Sequence, residues 1–536
     1  MAPLIYLNRA EKFIIAISSI IALAIFLFTD PVFFNPDSIE YLKYAHAISR
    51  FTVSSVAYSR TAGYPLLLVA TLYPWTFSVI PILAVQACCM ALIPLIIYKT
   101  LRFISPRTAF YGAGFIIATL IPYTFQTYLF PDPMQVFFSI VFCYVVVRYI
   151  FERTTKIMVR MFLFYLAISF FRPPFLLYYF IIAAVVAMAV WQDRKHLAFY
   201  LKPFITLTLL ISSIHIFAST LDTYLYMRKG VERKSLVGKM VFLNAFTRST
   251  SVKGAFTDGK HTAIMHAKLV SFFKDAPLEL RSPKTLFAGY SPAIAKYFDA
   301  YKSDPEQMTN ALLNMRSNYI WNILRNISDN WLDSNRDINR LFGQVALEQY
   351  RLHPKIFLNV VTTGFSYYLG IRACKPPSIH SSAEEYACQF WPPYYTAVYE
   401  DPRNGPIRGM RPYIFKQVSP VILKKIIALF TTFGNETWPS LYRVILPTSS
   451  FLTFLALCYV CYCFLRAGIK NIRKDVIVLF TVLSVFLFYS IPMFILTDPQ
   501  FRYVSAGSLF LVMSGIISLR MIVTALFSIQ DNKLNS

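Results

Sequence analysis

Stretches of about 20 apolar residues, nearly free of charge, recur along this chain and restrict its fold more than any other feature. A helix of about 20 residues crosses the hydrocarbon core of a bilayer, and only helices and closed barrels satisfy their backbone polar groups there. The composition agrees, with 56% hydrophobic and 17% aromatic residues and a mean hydropathy of +0.50. Core helices of a large soluble protein are excluded, because the runs are too long, too many and too poor in charge. The sequence predicts an all-α integral membrane protein.

Ten transmembrane spans are predicted, at 13–29, 77–98, 108–128, 134–151, 157–171, 173–191, 202–220, 442–465, 476–496 and 504–526. The first run follows a short basic start, as a signal peptide would, but no small-residue cleavage site follows it, so a retained span is expected. Three regions result: a membrane module at 1–220, a mostly helical polar domain at 221–441 and a second membrane module at 442–536. Within the polar domain, the apolar stretch 413–433 is broken by Lys424 and Lys425 and is predicted to be a juxtamembrane helix.

Lys and Arg occupy every second loop, as the positive-inside rule requires of cytoplasmic loops. The basic loops contain Lys99, Arg102, Arg107, Arg148, Arg153, Lys156, Arg160, Arg194, Lys195, Lys202, Arg466, Lys470, Arg473 and Lys474. Both termini are therefore expected in the cytoplasm and the polar domain on the other side of an inner membrane. The net charge of +25 fits anionic lipids or phosphate-bearing glycans better than nucleic acid, because no basic helix or RNA-binding motif stands out.

The cysteines form no metal-binding pattern. Cys458, Cys461 and Cys463 have a zinc-like spacing, but they lie within a span without His or acidic partners and are interpreted as small packing residues. Cys374 and Cys388 lie in the polar domain, where a disulfide is expected if that domain is outside the cytoplasm.

The segment Asn35 to Leu42 follows the first span and has the signals of a helix start. Asn35 suits the N-cap, Pro36 the first helical position, and Asp37 the first turn, where negative charge is favoured. The predicted helix runs to about Arg50 with an apolar stripe suited to a membrane surface. Asp37 either starts this helix only or is a functional carboxylate at the membrane face.

The other charged candidates fall in loops on the same predicted side of the membrane. They are Arg60 and Tyr64 before the second span, Asp132 between two prolines, Arg172 before two prolines, and Asp498, Arg502 and Tyr503 before the last span. A helix cap is the alternative for Asp132, and an interface anchor is the alternative for each Arg. Guanidinium groups hold phosphate and carboxylates accept protons, so together these side chains suit a lipid-phosphate substrate.

No phosphate-binding Gly loop, nucleophile elbow or His-Glu metal motif occurs, which disfavours a nucleotide-sugar site. The loop residues resemble the C-type (GT-C) membrane glycosyltransferases that use polyprenyl-phosphate sugars, a group that includes the protein O-mannosyltransferases and the aminoarabinose transferase of lipid A. The matching motifs are Asp37-Ser38-x-x-Tyr41, Arg60-x-x-Gly63-Tyr64-Pro65, Asp132 followed later by Arg172-Pro173, and Arg502-Tyr503.

This resemblance implies an inverting transfer of one sugar from a polyprenyl-phosphate donor to a glycan, lipid or protein acceptor. Asp37 would be the catalytic base and Asp132 a second acid that orients acceptor or donor. Arg60, Arg172 and Arg502 would neutralise the donor phosphate, with Tyr64, Asp498 and Tyr503 in the substrate site. No cofactor is required, although two acids could hold a divalent ion.

Two other functions remain open at this stage. A flippase for a lipid-linked glycan would need charge near mid-membrane, where the sequence offers mainly His215, which is interpreted as a packed polar side chain. A glycan polymerase or ligase also has many spans and a large outer loop, but the acid after the first span favours the single-sugar enzyme.

Overall fold

A computed structural model of the chain describes residues 7–28, 37–52, 61–76, 78–123, 126–172, 176–228, 237–276, 298–301, 303–315, 335–369, 399–401, 405–407, 438–467, 473–496 and 501–534. The amino-terminal part contains α1 (Arg9–Phe28), α2 (Asp37–Ser49), α3 (Gly63–Ala70), α4 (Tyr73–Thr76), α5 (Ile80–Arg102), α6 (Pro106–Ala118), α7 (Asp132–Glu152), α8 (Thr155–Phe171), α9 (Tyr178–Gln192) and α10 (Leu197–Arg228). Single 3-10 turns lie at Ile121–Tyr123 and Arg194–His196.

The remaining helices are α11 (Val237–Thr247), α12 (Lys260–Asp275), α13 (Pro305–Met315), α14 (Asn335–Leu352), α15 (Pro354–Tyr368), α16 (Trp438–Ala467), α17 (Lys474–Leu496) and α18 (Phe501–Leu534). A short antiparallel hairpin pairs β1 (Tyr399–Asp401) with β2 (Gly405–Ile407). The fold is otherwise helical among the described residues, as the apolar runs predict.

Seven helices in the described part of the chain are long and apolar enough to cross a membrane: α1, α5, α7, α10, α16, α17 and α18. The prediction of a multi-pass helical membrane protein is confirmed in this form. The predicted spans at 108–128, 157–171 and 173–191 correspond to helices α6, α8 and α9, which have 13, 17 and 15 residues and are shorter than these seven. Ser105 caps α6 by accepting a hydrogen bond from the Thr108 amide, and Pro106 follows it, so α6 starts sharply. The count of ten spans stays a prediction.

The membrane helices share one apolar core, in which α7 and α18 are the most deeply enclosed of the seven, with Ile140, Val146, Val512 and Ile517 fully buried. Two of the predicted packing cysteines depart from the expectation. Cys458 and Cys461 are exposed on the outer surface of α16, whereas Cys143 is buried in α7. An exposed thiol on an apolar helix contacts lipid, so the spacing in α16 reflects small apolar residues facing the bilayer.

A second core lies between α11, α12, α13 and α14, built on Phe242, Phe246, Phe256, Phe272 and Phe342. Gly238 in α11 crosses α14 so closely that a Cβ atom there would collide with the Asn339 carbonyl oxygen, which only glycine avoids. The predicted juxtamembrane helix at 413–433 and the predicted disulfide Cys374–Cys388 lie outside the described residues.

Polar side chains of α14 fix the start of α12 in this second core. The Glu348 carboxylate accepts hydrogen bonds from the amides of His261 and Thr262, at 3.0 and 2.9 Å. These amides belong to the first turn of α12, whose N–H groups have no partner within the helix. Glu348 therefore caps α12 from a neighbouring helix.

Candidate active site

Asp132 is the first residue of α7, with Pro131 at the N-cap and Pro133 immediately after it. The fixed backbone angle of proline suits the first helical turn, so the sequence Pro-Asp-Pro starts the helix at this acid. The Asp132 side chain is 1% exposed, and its negative charge lies at the positive end of the α7 dipole. The carboxylate is thus rigidly placed at one end of the membrane bundle.

Arg172 directly follows α8 and has extended backbone angles, φ −151° and ψ 116°. A residue before proline is disfavoured in the helical region, so Pro173 ends α8 at Phe171 and leaves the cation at the negative end of the helix dipole. Because α7 and α8 are antiparallel neighbours, the start of one lies beside the end of the other.

Asp132 and Arg172 form an ion pair across these helix ends. The Arg172 Nη2 atom donates to both Oδ1 and Oδ2 of Asp132 at 2.8 Å. The Arg172 side chain is 15% exposed, so the pair is largely shielded from water. Asp132 is therefore neither a helix-capping side chain nor a free base in this arrangement, and Arg172 is held inward rather than snorkelling as an interface anchor.

A buried hydrogen-bond network fixes the loop that leads into Asp132. Gln86 of α5 donates through Nε2 to the carbonyl oxygens of Gln126 and Tyr128, at 2.9 and 2.8 Å. Gln126 in turn donates to the Ala22 carbonyl oxygen of α1 at 2.7 Å. The approach to Asp132 is thus tied to two membrane helices, which limits how far the acid can move.

Tyr64 connects this network to the segment after the first span. Its hydroxyl donates to Gln86 Oε1 at 2.9 Å, and its ring meets Tyr41 edge-on with 5.4 Å between ring centroids. Burial, followed by the nearby Tyr41 hydroxyl and the Asp132 carboxylate, raises the pKa of Tyr64 well above its ordinary value of 10.0. Tyr64 therefore stays protonated and acts as a hydrogen-bond donor.

The last turn of α8, which directly precedes Arg172, contacts the segment that leads into α3. Thr61 Oγ1 donates to the Phe171 carbonyl oxygen at 2.6 Å. A Cβ atom at Gly63 would lie 2.6 Å from the Phe170 carbonyl oxygen, so the start of α3 rests directly on the α8 backbone. This contact explains why glycine follows Arg60-x-x in the sequence.

His215 of α10 supports the same turn from the other side. Its Nε2 atom lies 3.0 Å from Ser169 Oγ, and its ring stacks on Phe170 with 5.4 Å between centroids. The interpretation of His215 as a packed polar side chain agrees with these contacts. Through Ser169, His215 contacts α8 one turn before Arg172, the residue that pairs with Asp132.

The structure brings together only part of the predicted site. Asp132, Arg172 and Tyr64 lie within one buried cluster. Asp37 begins α2 one turn before Tyr41, but its side chain lies outside the described residues, as do those of Arg502 and Tyr503 at the start of α18. Arg60 and Asp498 are wholly outside the described residues.

Gln86 and Gln126 were missed by reasoning from the loops alone. The signal for Gln86 was available, because a glutamine within a 23-residue apolar helix has to find a partner. Its partners on the loop before Asp132 lie about 40 residues away in sequence, and no local pattern reveals them.

The opposite end of the bundle carries a different set of contacts. Arg148 pairs with Glu152 at 2.7 Å at the end of α7, and Arg102 at the end of α5 lies 3.7 Å from Glu11. Arg153 donates to Gln192, and Arg520 donates to Thr108 at 2.8 Å. The predicted basic loops thus gather at the end remote from Asp132. Which side of a membrane each end faces stays a prediction.

Within the described ranges, no three His, Cys, Asp or Glu side chains come together as a metal site. Both Asp132 oxygens are engaged by Arg172 there. A divalent ion at Asp132 would therefore share these oxygens with the guanidinium or displace it.

Comparison with known proteins gives one structural likeness. No protein-family model matches the chain, and no curated protein matches it. Its structure is similar to that of the Archaeoglobus fulgidus oligosaccharyltransferase in the apo form, with 11% sequence identity and a TM-score of 0.32. The match covers 98% of this chain and 52% of the archaeal chain, so this chain spans about half the length of that protein. A likeness at this level assigns no activity to the chain.

Proposed function

We infer that the protein is an inverting glycosyltransferase that moves one sugar from a polyprenyl-phosphate donor to a glycan, lipid or protein acceptor at the membrane surface. One observation carries the proposal: a continuous set of contacts connects α2, the helix that begins at Asp37, with the loop that leads into the buried Asp132–Arg172 pair. Tyr64 makes this connection, because its ring contacts Tyr41 of α2 and its hydroxyl donates to Gln86, which holds the loop before Asp132.

In the proposed reaction, Asp37 accepts the proton of an acceptor hydroxyl as that oxygen attacks the anomeric carbon. The bond from the anomeric carbon to the phosphate oxygen breaks, polyprenyl phosphate leaves, and the configuration inverts. An aspartate with an ordinary pKa of about 3.9 is ionised at neutral pH and accepts a proton without special tuning. Preplaced cations favour departure of the phosphate, a role assigned to Arg60 and Arg502.

The ion pair with Asp132 limits what Arg172 contributes to phosphate binding. A guanidinium has five N–H donors, of which Asp132 takes those on Nη2. With its charge balanced by Asp132, Arg172 meets a phosphate as part of a dipole and contributes less attraction than an unbalanced cation would. Asp132 orients the acceptor or donor, and Tyr64 donates its hydrogen bond within the same cluster.

The proposed location is the inner membrane, with both termini cytoplasmic and the Asp132 end facing outward. The basic end of the bundle supports this choice, because Lys and Arg favour the cytoplasmic side. The partners are the lipid-linked donor, the acceptor and the bilayer, with no nucleic acid and no required cofactor.

The test is a transfer assay beside a transport assay, using the purified full chain in proteoliposomes with lipid-linked sugars extracted from the source membrane. Release of polyprenyl phosphate with gain of one sugar on an acceptor is expected, and Asp37→Asn should abolish it. Glu40→Gln is the matched control, since Glu40 lies on the same helix one turn further on. Movement of intact donor without transfer would identify a flippase, and joining of preassembled oligosaccharides would identify a polymerase or ligase.

A further inference from the structure

The helices α11 to α14, which share the second core, form the second helical unit. A group of large apolar side chains is exposed where its last helix, α14, meets α15. Leu352, Phe357 and Leu358 are 50%, 44% and 58% exposed. Two cations, Arg351 and Lys355, are exposed among them. Side chains of this size usually lie inside a protein, so a cluster of them with basic neighbours marks an interaction surface.

The same helix face continues into the membrane core. Leu358, Val361, Phe365 and Leu369 follow one another at spacings of three and four residues, which places them on one side of α15. Val361, Phe365 and Leu369 pack against the core of the membrane bundle, where α15 contacts α17 and α18. Of these four residues, only Leu358, at the amino-terminal end of the stripe, is exposed.

The depth of the stripe relative to the membrane follows from one hydrogen bond. Ser450 donates to the Leu369 carbonyl oxygen at 3.2 Å. In the sequence of α16, Arg443 is the last charged residue before an uncharged apolar run that begins at Val444, so we take Val444 as the edge of the hydrocarbon region. Ser450 follows Val444 by six residues, so Leu369 lies roughly 9 Å inside that edge at about 1.5 Å per residue.

Leu358 precedes Leu369 by eleven residues, or roughly 16 Å along the helix axis at most. The difference places Leu358 within about 8 Å of the hydrocarbon boundary, which is the headgroup layer of a bilayer.

We propose that the α14–α15 junction is a membrane-docking surface that inserts Leu352, Phe357 and Leu358 into the bilayer interface and binds anionic headgroups through Arg351 and Lys355. Apolar side chains at the headgroup level with flanking cations are the pattern of interfacial helices. The surface would hold the second helical unit close to the bilayer, and the inference does not depend on the proposed glycosyl transfer.

The test places a photoreactive benzoylphenylalanine at Leu358 of the full chain in nanodiscs containing equal amounts of phosphatidylcholine and phosphatidylglycerol. After irradiation, mass spectrometry should find phospholipid attached at this position. The control is Ala267, which is exposed on α12, a helix that packs on α13 and α14, and no lipid adduct is expected there.

Three outcomes would overturn the proposal: an adduct with a peptide of the same chain, an adduct with a second copy, or activation without any lipid adduct. If the probe at Leu358 prevents folding, judged by gel filtration, the same probe at Phe357 gives a second reading.

The anionic preference is tested with the double variant Arg351→Gln and Lys355→Gln carrying the same probe. In the unsubstituted background the phosphatidylglycerol adduct should exceed the phosphatidylcholine adduct. Each cation removed should lower that excess roughly fivefold at low salt, the factor expected for one charge at an anionic surface. An unchanged ratio would overturn the assignment of Arg351 and Lys355 to headgroups.

Discussion

Replacing Asp132 by Asn removes one charge of the buried ion pair and keeps the side-chain volume. With about 4 Å between the charge centres and an effective dielectric constant of about 20, the attraction is about 4 kcal/mol before the cost of desolvation. Removing one partner of a buried pair typically costs about 3 to 5 kcal/mol, because the other charge stays buried. Since the Arg172 side chain is 15% exposed, we expect about 3 kcal/mol for Asp132→Asn.

A double-mutant cycle separates the pair from its surroundings. Arg172→Gln alone should cost about the same, and the double variant should cost about 2 to 3 kcal/mol less than the sum of the two single changes. The measurement is the free energy of unfolding in mixed detergent micelles, followed by tryptophan fluorescence during titration with dodecyl sulfate.

The control is Arg148→Gln at the other end of the bundle. Arg148 and Glu152 are 33% and 40% exposed, so this change should cost less than about 1 kcal/mol. Additive costs for Asp132→Asn and Arg172→Gln would refute the reasoning, because additivity means that the two side chains do not interact energetically.

Three further predictions concern packing and capping. Gly63→Ala should destabilise the protein by about 1 to 3 kcal/mol, since the new Cβ meets the rigid Phe170 carbonyl, whereas Gly114→Ala, with open space around it, should be neutral or slightly stabilising; thermal unfolding distinguishes the two. Gln86→Leu should cost about 2 kcal/mol or more, because it removes three buried hydrogen bonds, and it should raise proteolysis or hydrogen exchange in the loop at 126–131, which would stay protected if Gln86 were only a filler. Burial raises the pKa of Glu348, but the hydrogen bonds from His261 and Thr262 lower it by more, so the net pKa lies below the ordinary 4.5. The contribution of Glu348 to stability is therefore fully present above pH 4.5 and is lost as the pH falls through the lower pKa of the folded state. Glu348→Gln should reduce the loss of stability at acidic pH, measured as unfolding midpoints over a pH series. An unaltered pH profile would show that Glu348 does not cap α12.

The membrane architecture was largely predictable because it depends on local patterns. Apolar length gives the spans, and prolines and caps give the helix ends, as at Ser105-Pro106 and Pro131-Asp132-Pro133. The gathering of basic residues at one end of the bundle follows from the alternation of loops. The lengths of α6 and α9 were overestimated, since apolar residues flank their helical ends, whereas α8 is two residues longer than the predicted span.

The site was predictable only as a set of residue types. Asp132 and Arg172 were both candidates, but their pairing joins positions 40 residues apart and depends on the antiparallel packing of α7 and α8. The capping of α12 by Glu348 likewise joins positions 86 residues apart. Such contacts are set by tertiary packing, which periodicity and turn signals do not encode.

The most direct test of glycosyl transfer is mass spectrometry of surface glycans and lipid A from four strains: wild type, deletion, Asp37→Asn and Glu40→Gln. The proposed function predicts loss of one sugar mass in the deletion and in Asp37→Asn, with the Glu40→Gln strain like wild type. Membrane levels of the Asp37→Asn protein should equal those of wild type. Unchanged covalent composition in the deletion strain, with lipid-linked precursors accumulating instead, would contradict transfer by this protein and indicate a flippase or polymerase.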